Sequence, residues 1–482
     1  MSIVTELDLL KHRRTKIVAT IGPASSSPAV IAELIQAGVD VFRVNFSHGT
    51  HAAHGAEIAT IREVAERLGT PTAILADLCG PKIRTGRFHG GTAQIVTGSH
   101  VVVTRGDVLG NATTIPSQYA ALAKDVQVGH RILLNDGAVE LRVDAIRDED
   151  VACTVVAGGT VGDHKGINLP GSQVSAPSLT DKDRADAEFA LATGVDFLAL
   201  SFVRSARDIN ALRQIVDTRG SHAGIIAKIE KPEALVNSEA IIEAADGIMV
   251  ARGDLGVELN PEQVPLAQAQ LIERARARNK PVIVATQMLE SMIQNARPTR
   301  AEVSDVSLAV ASGADAVMLS GESAVGLHPV AAVSMMDRVA RQTESWRWRA
   351  ATAFNDGARQ LAPAGFGEAI ATATARLVGD LRAAGVLVIS ARGRTAGTIS
   401  AARPAAPVVA ISNDRATCRR MSLLWGIVPQ WVETAGSENP NQIARRVARD
   451  LGLAEGGRYV VLVRGFHADP TLNSPSITLL EV

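Results

Sequence analysis

Three cysteines in 482 residues, Cys79, Cys153 and Cys418, are too few and too far apart for a disulfide framework or a thiolate metal site. They read as free thiols of a chain kept in a reducing cytosol. Neither sign of charge prevails: 49 basic residues stand against 50 acidic ones, a net charge of −1, so neither nucleic acid nor an anionic membrane is expected as a partner. No apolar run is long enough to span a bilayer, and the polar stretch Met1–Arg14 lacks the apolar core of a signal peptide. A cytoplasmic protein is expected. Tandem repeats and low-complexity tracts are missing too. Lysine is scarce, nine of the 49 basic residues, which draws attention to Lys82, Lys165 and Lys228, spared by the drift toward arginine.

What the chain does contain is globular material: 46% hydrophobic and 21% charged residues, over a length that predicts two or three domains. Short β-branched apolar runs alternate with alanine-rich amphipathic stretches, the pattern of βα units. The runs are Lys16–Ile21, Asp40–Val44, Ala73–Asp77, Val195–Ser201, Gly224–Ile229, Gly247–Ala251, Pro281–Thr286 and Ala314–Leu319. Eight such strands close a parallel (β/α)8 barrel. Helices are expected between them, among others at Pro28–Ala37, Ala52–Leu68, Arg184–Thr193 and Pro265–Arg278.

After the third strand the texture changes to short alternating segments punctuated by glycine: Ala93–Val96, His100–Thr104, Arg131–Leu134, Val139–Val143 and Ala152–Val156. A small all-β domain, of β-barrel type, is expected there, placed to close over the barrel's C-terminal face. Beyond Ser345 a separate α/β pattern begins. The expected division is barrel over 1–85 and 176–345, inserted β lid over 86–175, and a C-terminal α/β domain over 346–482.

Reactive groups of such barrels gather at the C-terminal strand ends. Here those ends read Arg43-Val44-Asn45-Phe46-Ser47-His48-Gly49, Asp77-Leu78-Cys79-Gly80-Pro81-Lys82-Ile83-Arg84-Thr85-Gly86, Lys228-Ile229-Glu230, Ala251-Arg252-Gly253-Asp254-Leu255-Gly256, Ala285-Thr286-Gln287-Met288-Leu289-Glu290 and Met318-Leu319-Ser320-Gly321-Glu322. Cations and carboxylates at one rim suit a divalent metal and an anionic, phosphorylated or carboxylated, small molecule.

These blocks, with Pro298-Thr299-Arg300-Ala301-Glu302 between the last two, match in order and spacing the motifs of pyruvate kinases, and from about Thr15 onward the chain resembles that family closely. The resemblance implies phosphoryl transfer from phosphoenolpyruvate to ADP, giving pyruvate and ATP, in glycolysis. It implies Mg²⁺ (or Mn²⁺) at Glu230 and Asp254, which are hard oxygen donors. Lys228 is the cation expected to meet the moving phosphate and the enolate oxygen, and Arg43 the fork on phosphate oxygens. Gly253, with Asp254, is expected at the substrate carboxylate, and Thr286, with water, where the enolate is protonated. Asn45, Phe46, Ser47, His48 and Arg84 carry over as nucleotide-phosphate contacts, and Lys165 as the lid lysine that reaches ATP. A homotetramer is the family's usual assembly.

Departures from the family pattern matter as much. Animal-type members hold K⁺ near the positions of Asn45, Ser47, Asp77 and the Leu78 carbonyl, and read Asp-Thr-Lys-Gly-Pro-Glu where this chain has Asp77 to Lys82. A lysine in place of that glutamate resembles the K⁺-independent, bacterial-type branch, with Lys82 standing in for the ion. In the C-terminal domain Ser390, Arg392, Gly393, Arg394 and Thr395 follow a strand and open a helix, a candidate phosphate site for an effector. Because Val463–Pro470 departs from the family's glycine-rich effector loop, the effector remains open among fructose bisphosphate, a sugar monophosphate, AMP and none. Two rival readings are a metal-dependent lyase or aldolase on the same barrel, and a non-catalytic phosphometabolite sensor. The first leaves Arg84, Lys165 and the lid without a purpose; the second predicts loss of Lys228, Glu230 or Asp254, all of which are present.

Overall fold

A computed structural model describes residues 13–106, 108–349, 366–453, 459–465 and 474–482. Eight parallel strands, Lys16–Thr20, Val41–Asn45, Ala73–Asp77, Phe197–Leu200, Gly224–Ile229, Gly247–Ala251, Val282–Ala285 and Ala316–Leu319, close into a barrel in which the first pairs with both the second and the eighth. Strand residues alternate between two buried clusters. Val18, Val41, Leu75, Ala199, Ile226, Met249, Ile283 and Met318 fill the inside, and their neighbours face the surrounding helices. Two residues further along each of the first five strands, that inward line reaches Thr20, Arg43, Asp77, Ser201 and Lys228. The apolar filling thus stops where the polar rim starts.

Several strands are shorter than the apolar runs that announce them. The seventh ends at Ala285 because Thr286 and Gln287 adopt left-handed φ values of 71° and 53°, which no ladder accommodates.

Within the insertion, strands pair as a six-stranded sheet and a separate two-stranded one, both contributing to one apolar cluster. Thr114–Ser117, Gly159–Gly162 and Ile167–Asn168 are strands without an alternating signature. Each is four residues or fewer, with proline or glycine inside the first two. The C-terminal domain carries a five-stranded sheet, four strands parallel and the last antiparallel. Its strands Ile427–Trp431 and Ser476–Glu481 and its helix Pro440–Asp450 lie in stretches where the sequence reading placed nothing. That helix was legible: Asn439 caps it, proline opens it, and Ile443, Ala444, Val447 and Ala448 are buried at helical spacing.

The C-terminal domain docks on the barrel's N-terminal face. Leu423 joins the buried cluster of the barrel interior. Asp196, just ahead of the fourth strand, accepts from Arg62 (2.7 Å) and the Ile74 amide (2.9 Å) within the barrel, and from Arg419 (2.9 Å) of helix Arg415–Met421. Removing this carboxylate would leave two guanidinium groups without a counter-charge. Asp196→Ala should cost on the order of 3 kcal/mol, seen as a lower urea midpoint by circular dichroism; an unchanged midpoint would mean the contact contributes nothing.

Candidate active site at the barrel rim

Lys228 lies near the centre of the rim. Its ammonium donates to Ser201 Oγ at 2.7 Å and lies 2.9 Å from Glu230 Oε1 and 3.2 Å from Asp77 Oδ1. Both carboxylates are 1% exposed. Glu230 Oε2 accepts the Phe202 amide at 2.8 Å, and Asp77 Oδ2 accepts Arg43 Nε at 2.7 Å. Arg43 is braced on its other side by Thr20 Oγ1 at 3.0 Å. The charges form a short row: guanidinium, carboxylate, ammonium, carboxylate.

The row explains the ionisation of its members. Burial would discharge Lys228, but Asp77 and Glu230 outweigh it and hold the ammonium above its ordinary range. Burial likewise opposes charge on Asp77, and Lys228 and Arg43 overcome it, so its carboxyl is held below the usual range. Glu230 goes the other way: burial, seconded by the charge of Asp254, pushes it up despite Lys228. Lys228 is thus a fixed positive charge, and Glu230 is a carboxylate short of cationic partners.

Two oxygens of this row, Asp77 Oδ1 and Glu230 Oε1, are buried and within ion-pair range of Lys228 yet receive no directed hydrogen bond. Asp254 sits in the first turn of helix Arg252–Glu258, half-buried, and its charge bears on both Lys228 and Glu230. Among the described residues no group of three or more His, Cys, Asp or Glu side chains forms a metal cage. Glu230, with one undonated oxygen, and Asp254, whose charge bears on it, fit Mg²⁺, which keeps most of its octahedron for water and substrate oxygens.

Gly253 and Thr286 meet at the opposite side. The Gly253 amide donates to Thr286 Oγ1 at 2.7 Å, and that hydroxyl donates to the Ala285 carbonyl at 2.6 Å. Arg252, paired with Asp305 at 2.6 Å, donates to the Thr286 carbonyl at 2.7 Å and steadies its left-handed backbone. A side chain at Gly253 would meet only Thr286, at ordinary contact distance (3.5 Å), so the chain's own packing does not demand glycine there.

Other expected site residues fall in three places. Asn45 Oδ1 accepts the Ser47 amide at 3.1 Å, and Phe46 is buried against His54, with 4.4 Å between ring centroids. His48 is exposed among Arg84, Lys82 and Arg43; burial first, then those charges, lowers its pKa. Lys165 and Arg84 lie on neighbouring chain segments, joined by the Thr85 amide donating to the Lys165 carbonyl at 2.8 Å and by a bridge from Arg84 to Gly166. Leu78 is buried, and its carbonyl accepts from Ser201 Oγ at 2.7 Å. Lys82 is exposed and, among the described residues, pairs with no carboxylate within 4 Å. An open cleft separates insertion from rim, lined in part by Lys82, Ile167, Asn168, Phe202, Lys231 and Asp254.

Ser390, Arg392, Gly393, Arg394 and Thr395 are not brought to this rim. They lie between strand Gly385–Ile389 and helix Arg394–Ala401 of the C-terminal domain, with Gly393 at φ 83° making the turn. The departing segment at 466–470 lies outside the described residues. Sequence reading missed Ser201 and Thr20. Both ride the inward register one step above apolar partners, a signal the fourth and first strands did carry.

The fold and rim define a (β/α)8-barrel enzyme whose cations and carboxylates gather at one end of the barrel. Comparison with known proteins gives the particular family. Residues 12–333 match the model of the pyruvate kinase barrel domain, and residues 368–476 that of the pyruvate kinase alpha/beta domain. The chain is 42% identical to a pyruvate kinase of Geobacillus stearothermophilus over 98% of its length and 80% of that protein's. It is 45% identical to one from Mycobacterium intracellulare, over 94% and 95%. A crystal structure of a pyruvate kinase from Cryptosporidium parvum superposes with a TM-score of 0.88 at 36% identity, covering 97% of this chain and 96% of that one. The chain belongs to the pyruvate kinase family, and it is an enzyme of that class.

The charge cluster around His48 can be checked directly. Lys82→Met or Arg84→Met should raise the pKa of His48 toward the ordinary value, because each removes a positive charge that opposes the imidazolium. An NMR titration of the imidazole signals would read it; a value unmoved in both variants would show that the cations do not act on His48.

Proposed function

We infer that the chain works its pyruvate kinase reaction with Mg²⁺ (or Mn²⁺) held by Glu230 and Asp254, and without K⁺. The observation that carries the metal reading is the buried, undonated Oε1 of Glu230, on which the charge of Asp254 bears. The bound metal would supply charge neutralisation at the phosphate oxygens and the enolate.

The remaining chemistry falls to the chain's own groups. Lys228, held by Ser201, Asp77 and Glu230, offers a preorganised positive charge to the phosphoryl group in flight and to the enolate oxygen it leaves. Arg43, braced by Asp77 and Thr20, grips phosphate oxygens. The Gly253 amide binds the carboxylate of phosphoenolpyruvate, exchanging its present partner, Thr286 Oγ1, for it. That exchange frees an acceptor position on the Thr286 hydroxyl, where it holds the water that works with it in protonating the enolate. Asn45, Phe46, Ser47, His48 and Arg84 form the nucleotide side, and Lys165 comes to it from the inserted lid.

Lys82 takes the part of the monovalent cation. It shares a neighbourhood with Arg84 and His48 and, among the described residues, is tied to no carboxylate, so its charge is available to nucleotide phosphates. The cation region otherwise comprises Asn45, Ser47, Asp77 and Leu78. We further propose the domain limits 1–85 with 176–345, 86–175 and 346–482, a cytoplasmic homotetramer, and a sugar-phosphate or AMP effector at Ser390–Thr395. The absence, among the described residues, of any helix long and apolar enough to cross a membrane is consistent with the compartment.

The deciding experiment measures pyruvate release from phosphoenolpyruvate, ADP and Mg²⁺ with tetramethylammonium as the sole monovalent cation. A brisk rate that K⁺ barely changes is expected, and Lys82→Glu should make the rate depend on K⁺. If Lys82→Glu is fully active without K⁺, Lys82 does not replace the ion. Lys228→Met should lose about 10²–10³-fold in kcat, and Glu230→Gln should raise the Mg²⁺ concentration needed for half-maximal rate.

A further inference from the structure

Where the C-terminal domain meets the floor of the barrel lies a narrow, partly open pocket, far from the rim, lined in part by Arg276, Lys280, Asp315, Gly397, Arg403 and Leu424. Arg403 follows helix Arg394–Ala401 and is 5% exposed. One arm of its guanidinium donates to the Gly313 carbonyl and pairs with Asp315 Oδ1, both at 2.9 Å, and the group lies over the Trp425 ring, 4.5 Å from its centroid. Its other two nitrogens, Nε and NH1, are buried with no acceptor among the described residues, and so is Nε of Arg276. Arg276 lies flat against Gly313; a Cβ there would sit 2.7 Å from its NH1. Gly313, at φ 94°, is the point at which the two guanidinium groups converge.

The nearby acceptors are already committed. Asp315 Oδ2 takes the Val282 amide at 2.9 Å, and its Oδ1 serves Arg403. Glu344, the other carboxylate that acts on Arg403, accepts the Arg14 and Thr15 amides at 2.9 and 2.7 Å. Lys280 points its ammonium at the Ala245 carbonyl, 2.6 Å away, which satisfies a donor but cancels no charge. Among the described residues neither Arg276 nor Lys280 has a carboxylate within ion-pair distance. After Asp315 balances Arg403, two positive charges and three buried nitrogens remain without a counterpart. Buried polar groups left in this state point to an absent ligand or water. Water could accept the hydrogen bonds, yet it would leave both charges standing. A dianion does both.

We propose that this cavity binds a small tetrahedral oxyanion, a phosphate or the phosphate end of a small phosphomonoester, gripped between Arg276 and Arg403. Guanidinium forks match such oxygens in pairs. The site is separate from Ser390–Thr395, which lies at the other end of helix Arg394–Ala401, about 12 Å away along its axis. Arg276 comes from the barrel and Arg403 from the C-terminal domain, so the bound anion ties the two together.

Trp425 provides a local readout. In the full chain carrying Trp346→Phe, Trp348→Phe and Trp431→Phe, Trp425 is the sole tryptophan. Titration with inorganic phosphate should change its fluorescence saturably, with a midpoint in the millimolar range or below. Arg276→Gln should raise that midpoint at least tenfold, while Arg394→Ala leaves it in place. Should Arg276→Gln fail to fold, Arg276→Lys, which keeps the charge and loses the fork, should still raise it several-fold. A parallel titration with glycerol phosphate separates the two sources: a lower midpoint than for phosphate assigns a phosphomonoester, an equal or higher one the free ion. No saturable change, or one indifferent to both Arg276 variants, overturns the proposal and leaves the cavity to water.

Discussion

A buried ammonium between two buried carboxylates governs the upper half of this barrel. Lys228 can keep its charge at 9% exposure only because Asp77 and Glu230 flank it, and those carboxylates stay buried only because Lys228 and Arg43 answer them. The four groups come from three strands, Lys228 in the fifth and Glu230 just past its end, so the arrangement exists only when strands two, three and five close in register. The inward line supplies that register: apolar Val41, Leu75 and Ile226 sit one step below Arg43, Asp77 and Lys228. Packing fixes the strands, and the strands fix the charges. The row is also incomplete, since Asp77 Oδ1 and Glu230 Oε1 lie within ion-pair range of Lys228 yet receive no directed hydrogen bond.

How much of this could be read in the chain beforehand depends on how local the signal is. Barrel strands are buried on both faces and spell themselves as continuous apolar runs, so all eight were visible. Their ends were harder, because an apolar run does not say where the backbone leaves the ladder; Thr286 continues the run in composition and departs from it in φ. Short strands of the insertion, such as Ile167–Asn168, exist through pairing with Arg131–Leu134 and carry no pattern of their own. At the rim, charged residues announced themselves, whereas Ser201 and Thr20 did not. A hydroxyl that holds an ammonium or a guanidinium looks like any other small polar residue until its partner is placed.

The comparisons and the site agree while resting on different grounds. Family matches speak for the whole chain and its reaction; the geometry of Lys228, Glu230 and Thr286 speaks for how each group is held before substrate arrives. One detail shows what the second adds. The Gly253 amide and the Thr286 hydroxyl satisfy each other in the free protein, so the groups are kept aligned by bonding to one another. Substrate then trades one partner for another, and no donor is left stranded on the way.

Leu423 bears on how such a chain can change over generations. The barrel's interior filling is completed by a side chain from another domain, one that the sequence delivers about a hundred residues after the last barrel strand. A gene that dropped the C-terminal portion would open a hole in the interior of the barrel as well as discarding a domain. Inheritance therefore treats barrel and C-terminal domain as a single package, free to revise the surfaces and loops of each and constrained together at the floor.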